Sequence, residues 1–83
     1  MARLMFFGKL ADLAAGRERD WPLDGEARTV AGLIDAIAAA DAALGAALSA
    51  PSVRCAVNEA MVGRDAPIAD GDEIAFLPPV SGG

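Results

Sequence analysis

Val30, Leu33, Ile34, Ile37 and Ala38 recur at i, i+3, i+4, i+7 and i+8. That spacing puts five apolar side chains on one stripe of a helix and leaves the opposite face polar or small. Thr29, directly ahead of the stripe, is a good N-cap, because its hydroxyl can accept from an early helical N–H. The expected helix is therefore Thr29 to Ala40. A stripe this strong must be covered, and the flanking segments offer strands to cover it.

Arg3 to Gly8 holds the apolar run Leu4-Met5-Phe6-Phe7, too short for a helix and bounded by glycine, so a strand is expected. Period-two alternation sends Leu4 and Phe6 to one face and Met5 and Phe7 to the other. Lys9 to Ala15 places Leu10, Leu13 and Ala14 at helical spacing and reads as a brief helical turn ended by Gly16. Arg17 to Leu23 reads as a second strand, and Pro22, which cannot donate to a ladder, assigns it to an edge. Asp24-Gly25 is a turn signal. Beyond the main helix, Asp41 to Ala50 is alanine-rich, contains Gly45 and stops at Pro51, which suggests a weak second helical turn.

Val53, Cys55 and Val57 alternate with Arg54 and Ala56 as a strand with one buried face. Asn58-Glu59 is a turn candidate because Asn tolerates left-handed backbone. Ala60-Met61-Val62 then returns as a partner strand. Asp65 to Asp72 reads as a loop in which Gly71 suits positive φ. Glu73 to Leu77 is the last strand, with Ile74 and Phe76 on one face and Ala75 and Leu77 on the other. The order β-β-α-β-β-β describes an α+β domain, a small mixed sheet of four to five strands covered on one face by one main helix.

Composition removes most catalytic readings. The 83 residues contain no histidine, which takes away the commonest general base and metal ligand. One cysteine cannot make an internal disulfide or a Cys-cluster zinc site. Seven basic residues against twelve acidic ones, net −5, are scattered with no stripe to follow a phosphate backbone, so nucleic acid is not an expected partner. No stretch approaches the ~20 apolar residues of a membrane span, and Leu4-Met5-Phe6-Phe7 is too short for a leader. A soluble, cytoplasmic, single-domain protein spanning 1–83 is expected. Asp70, Asp72 and Glu73 lack the rest of a calcium loop, and Gly8 to Gly16 lacks phosphate-loop spacing. Cys55, alternating with core valines, reads as an inert buried thiol rather than a sulfur relay.

The ending carries the functional signal. Pro78 and Pro79 stop the last strand and push Val80-Ser81-Gly82-Gly83 outward as an extended arm. Glycine has no Cβ, so Gly82-Gly83 can thread a slot that excludes any other residue. A rigid stalk with a slim α-carboxylate is the expected functional group, and an accidental floppy end is the bland alternative.

Pro67-Ile68, Asp70-Gly71-Asp72-Glu73-Ile74-Ala75, Pro78-Pro79-Val80-Ser81-Gly82-Gly83, Phe6-Phe7 and Val57-Asn58 together resemble the small, sulfur-carrying subunit of molybdopterin synthase, over essentially the whole chain. That family has the β-grasp, ubiquitin-like fold, which matches the strand and helix order. The resemblance implies a subunit that is not an enzyme on its own. An E1-like adenylyltransferase would join Gly83 to AMP using ATP, which the chain itself does not bind. A sulfurtransferase would supply sulfur to make a thiocarboxylate at Gly83. The tail, Pro78 to Gly83, would then enter the active site of the large catalytic subunit and donate sulfur to the pterin precursor, precursor Z, for molybdenum cofactor biosynthesis. Phe7, Met61 and Leu77 on the open sheet face would form the partner interface, against the bland reading of scattered surface apolars. No metal site is implied. One departure is Ala11, where the family often has arginine. Two alternatives share the same activation chemistry: a carrier for thiamin or cysteine synthesis, and a ubiquitin-like modifier joined to lysines of other proteins.

Overall fold

A computed structural model describes residues 1–23 and 28–79. These form β1 (Ala2–Phe6), α1 (Lys9–Ala14), β2 (Glu18–Trp21), α2 (Val30–Ala40), α3 (Ala42–Leu48), β3 (Arg54–Val57), β4 (Ala60–Val62) and β5 (Glu73–Leu77). The five strands make one mixed sheet in the order β2-β1-β5-β3-β4. The first and last strands lie side by side and parallel at its centre, while every other pairing is antiparallel. The end of the chain is thereby delivered from the middle of the sheet.

One layer of helix covers one face. Val30, Leu33, Ile34 and Ile37 of α2 are all buried. They meet the inward positions of the sheet, among them Leu4, Phe6, Cys55, Ile74 and Phe76, in one continuous core. Phe6 and Phe76 stack with centroids 5.6 Å apart, tying β1 to β5 on the inner side.

The helix starts as expected. The Gly32 N–H donates to Thr29 Oγ1 at 3.1 Å. The loop before β5 serves the next orphan amides, since the Val30 N–H donates to the Ala66 carbonyl at 3.1 Å and the Ala31 N–H to that of Arg64 at 2.8 Å. At the hairpin, Asn58 and Glu59 take φ of 50° and 71°, the paired left-handed conformation that a two-residue turn needs. Gly71 in the loop has φ 87°.

Three details differ from the sequence expectation. The residue in left-handed conformation that ends α1 is Ala15 (φ 58°), and Gly16 follows it; the Gly16 N–H donates back to the Ala11 carbonyl at 2.9 Å. A free carbonyl at the helix end is satisfied even though the αL position carries a Cβ. The alanine-rich stretch is a separate seven-residue helix, α3, rather than a weak turn. Asp41 caps it, accepting from the Leu44 N–H at 3.1 Å. Gly45 does not weaken that helix; it is buried, and a Cβ on it would overlap Ala38 of α2. The glycine lets α3 fold tightly back on α2. Asp24-Gly25 lies outside the described residues.

Candidate functional site

Strand alternation leaves the second face of the sheet without a covering layer among the described residues. The registers lay out its rows. Glu18, Met5, Ala75, Ala56 and Met61 stand opposite one another across all five strands. The next row, nearer the chain end, contains Arg54 opposite Leu77, with Phe7 beside them, its N–H donating to the Phe76 carbonyl at 3.3 Å. On the far side of the methionine row, Asp20, Arg3 and Glu73 align. The open face is an apolar band bounded by charge, and Arg3 and Glu18 pair across it at 3.7 Å.

The two alanines at the centre of the band make it shallow, and Met5 and Met61 stand at its two sides. Phe7 keeps 42% of its surface exposed and Met61 58%. Exposed large apolars are ordinary one at a time; here Phe7 and Met61 share one sheet face, Phe7 beside the end of β5 and Met61 on the edge strand β4. The structure brings Phe7, Leu77 and Met61 to this one face. Sequence reading left out their companions Met5, Ala56 and Ala75, since only the strand register shows that these share rows with Met61. An open depression of about 600 Å³ extends from Phe7 past Ala11 toward Arg17 and Glu18. Its floor is low because position 11 is alanine.

The exit of the chain from β5 is closely packed. Pro78 is half-buried, whereas Pro79 is exposed. Gly8 turns the chain out of β1 with φ 56° and ψ −134°. A Cβ there would stand 2.9 Å from Pro78 Cγ. Val80, Ser81, Gly82 and Gly83 lie outside the described residues.

The remaining chemistry is sparse. Among the described residues no polar or charged side chain is fully buried, and no three His, Cys, Asp or Glu are grouped to hold a metal. Cys55 is buried on the core side of β3. Burial pushes its thiol above the ordinary value, and the charge of Arg64 offsets that only in part. A protonated, enclosed thiol is a poor nucleophile. Arg64 itself serves the fold: its Nη2 donates to the carbonyls of Leu48, Ala50 and Val53 at 2.9, 2.8 and 3.1 Å, holding the α3–β3 connection. No helix among the described residues is long and apolar enough to cross a membrane.

The family model for ThiS matches residues 4–83. The chain belongs to the ThiS family. Among its relatives, the molybdopterin synthase sulfur carrier subunit of Escherichia coli (strain K12) is 35% identical over 83 residues, all of this chain and all of that protein. The crystal structure of SAMP1 from Haloferax volcanii superposes with a TM-score of 0.81 at 30% identity, covering 99% of this chain and 98% of that one. A putative molybdopterin converting factor subunit 1 from Pyrococcus furiosus gives a TM-score of 0.79 at 27% identity, covering 95% and 97%. The mixed sheet with helices on one side is the β-grasp arrangement of these ubiquitin-like ThiS-family relatives.

Proposed function

We propose that this chain carries sulfur as a thiocarboxylate at Gly83 and donates it within a molybdopterin synthase complex, as the non-catalytic small subunit. The observation that carries the reading is the 35% identity, over all of this chain and all of that protein, with a sulfur carrier subunit of this enzyme. The chemistry follows from the ending. An α-carboxylate has a pKa near 3.5 and is ionised at neutral pH, hence a poor electrophile. Its oxygen attacks the α-phosphorus of ATP in the site of an E1-like adenylyltransferase, forming the acyl adenylate and releasing pyrophosphate. Sulfide equivalents supplied by a sulfurtransferase displace AMP at the carbonyl carbon and leave the thiocarboxylate. ATP is held by the adenylating partner, and the sequence of reactions runs in the cytoplasm.

Pro78 and Pro79 start the tail, and Val80, Ser81, Gly82 and Gly83 thread the active site of the large catalytic subunit, where the sulfur passes to the pterin precursor. Phe7, Met61 and Leu77 dock that subunit on the open face. The partner supplies the acid–base groups, in keeping with a chain that has no histidine.

A second reading is a protein modifier, favoured by the likeness to SAMP1, the small archaeal modifier protein 1 of Haloferax volcanii. Reconstitution separates the two. With the adenylating enzyme, a sulfur source, the large synthase subunit and the pterin precursor, the carrier produces dithiolene and consumes one thiocarboxylate per sulfur transferred. Isopeptide adducts on cellular lysines, with no dithiolene formed, would overturn the carrier reading in favour of the modifier.

A further inference from the structure

The turn at Gly8 lies against Pro78, the root of the tail. β1 and β5 run parallel and in register through Phe6 and Phe76. Both chains then leave the sheet at the same end, and the Phe7 N–H still holds the Phe76 carbonyl at 3.3 Å. One residue later, Gly8 turns away into α1, with the Ala11 N–H donating to its carbonyl at 3.1 Å. The Pro78 ring occupies the space where any side chain on Gly8 would lie: a Cβ would come to 2.9 Å from Cγ and 3.9 Å from Cβ and Cδ. Its φ of 56° also lies where L side chains are rarely found.

We infer that Gly8 is a positioning residue for the tail: its bare backbone forms the seat of the Pro78 ring, and that seat sets the direction in which the chain leaves the sheet. The inference rests on the carrier reading for its functional consequence. Pro78 has a fixed φ and no N–H, so ring packing is its main anchor on this side. From Pro78 to Gly83 the chain spans at most about 17 Å. The direction taken at Pro78 and Pro79 is the one in which the tail is presented to a partner's slot, and misplacements of about 1 Å already cost large factors in rate. Docking through Phe7, Met61 and Leu77 would be untouched by a change in that direction, so the effect falls on the chemical step and not on affinity.

The test is a double-mutant cycle of Gly8→Ala and Pro78→Ala in the full chain. Three readouts are taken: rate of thiocarboxylate formation at saturating adenylating enzyme, dissociation constant for that enzyme, and residual dipolar couplings of the Ser81 and Gly82 amides by NMR in the free protein. Gly8→Ala is expected to lower the saturated rate at least roughly tenfold with the dissociation constant unchanged. In the double variant no ring remains for the Cβ at position 8 to displace, so that Cβ costs little beyond the loss that Pro78→Ala already brings, and the two effects are strongly non-additive. Additive effects, an unchanged rate, or a loss that tracks weakened binding would overturn the inference. The couplings need no partner: shifts in Gly8→Ala and in Pro78→Ala that do not add in the double variant support the seat even if the native protein takes up no sulfur, which would sink the carrier reading alone. Couplings identical in all four proteins would refute the seat directly.

Discussion

Replacing Phe7 with alanine tests the open face as a docking surface, and its magnitude can be worked from exposure. A phenylalanine side chain offers roughly 200 Å². At 42% exposed, Phe7 keeps about 80 Å² for a partner to cover, which at about 25 cal/mol per Å² is worth about 2 kcal/mol, or roughly thirtyfold in Kd. Translational and rotational costs of association are common to both variants and cancel in the difference. Stability should fall as well, because the remaining roughly 120 Å² of the side chain is covered within the fold and is worth about 3 kcal/mol at about 25 cal/mol per Å². Calorimetric titration against the large synthase subunit, with thermal melts of the free protein alongside, reads both quantities. Kd, titrated well below the lowered melting temperature of the variant, should rise roughly thirtyfold. A change in Kd of less than about twofold would refute the reasoning, as would an affinity loss that merely follows unfolding.

Arg64→Met removes one nitrogen's hydrogen bonds to three carbonyls. Since the arginine's own Nε is buried without a partner, the net cost should be nearer about 2–4 kcal/mol than the sum of three charged bonds, as read by urea denaturation. Gly45→Ala separates two principles by sign: helix propensity alone predicts a gain of about 1 kcal/mol, whereas overlap with Ala38 predicts a loss of about 1–3 kcal/mol. A loss is expected, and a gain in the same denaturation assay would show that α2 and α3 can separate freely. The raised Cys55 thiol favours the folded state while it is protonated. Its contribution is complete below the ordinary value of 9.0 and is lost as pH rises above that through the folded value. Cys55→Ala should flatten this alkaline decline in a pH series of melts, and an identical decline in both proteins would place its cause elsewhere.

The parts of the fold legible in the sequence are those whose signals are local. Glu73 to Leu77 alternates without interruption and forms a strand with those bounds. Thr29 and Asn58-Glu59 act through side-chain or backbone chemistry within three residues, and each sits where that chemistry predicts. What escaped notice depends on distant contact. Gly45 looks like a helix breaker until Ala38 is seen against it. Asp41 was passed over as a cap because the alanines after it carry no stripe to announce a helix. Arg64 reads as one more scattered surface cation, although it reaches the α3–β3 connection from the far side of a hairpin. The candidate surface is half legible: Phe7 and Leu77 follow from alternation and Met61 from the family resemblance, while Ala56 and Ala75 are too small to suggest a site and matter because they open space between two methionines.

The proposed carrier function turns on Gly83. The decisive measurement is intact mass after incubation with an adenylating enzyme, ATP and a sulfur source, comparing the native chain with one lacking Gly83. Exchange of one oxygen for sulfur in the native chain and none in the shortened one is the expected result. No exchange in the native chain, while a control carrier in the same mixture is converted, would contradict the carrier function and leave the open sheet face as a plain binding surface.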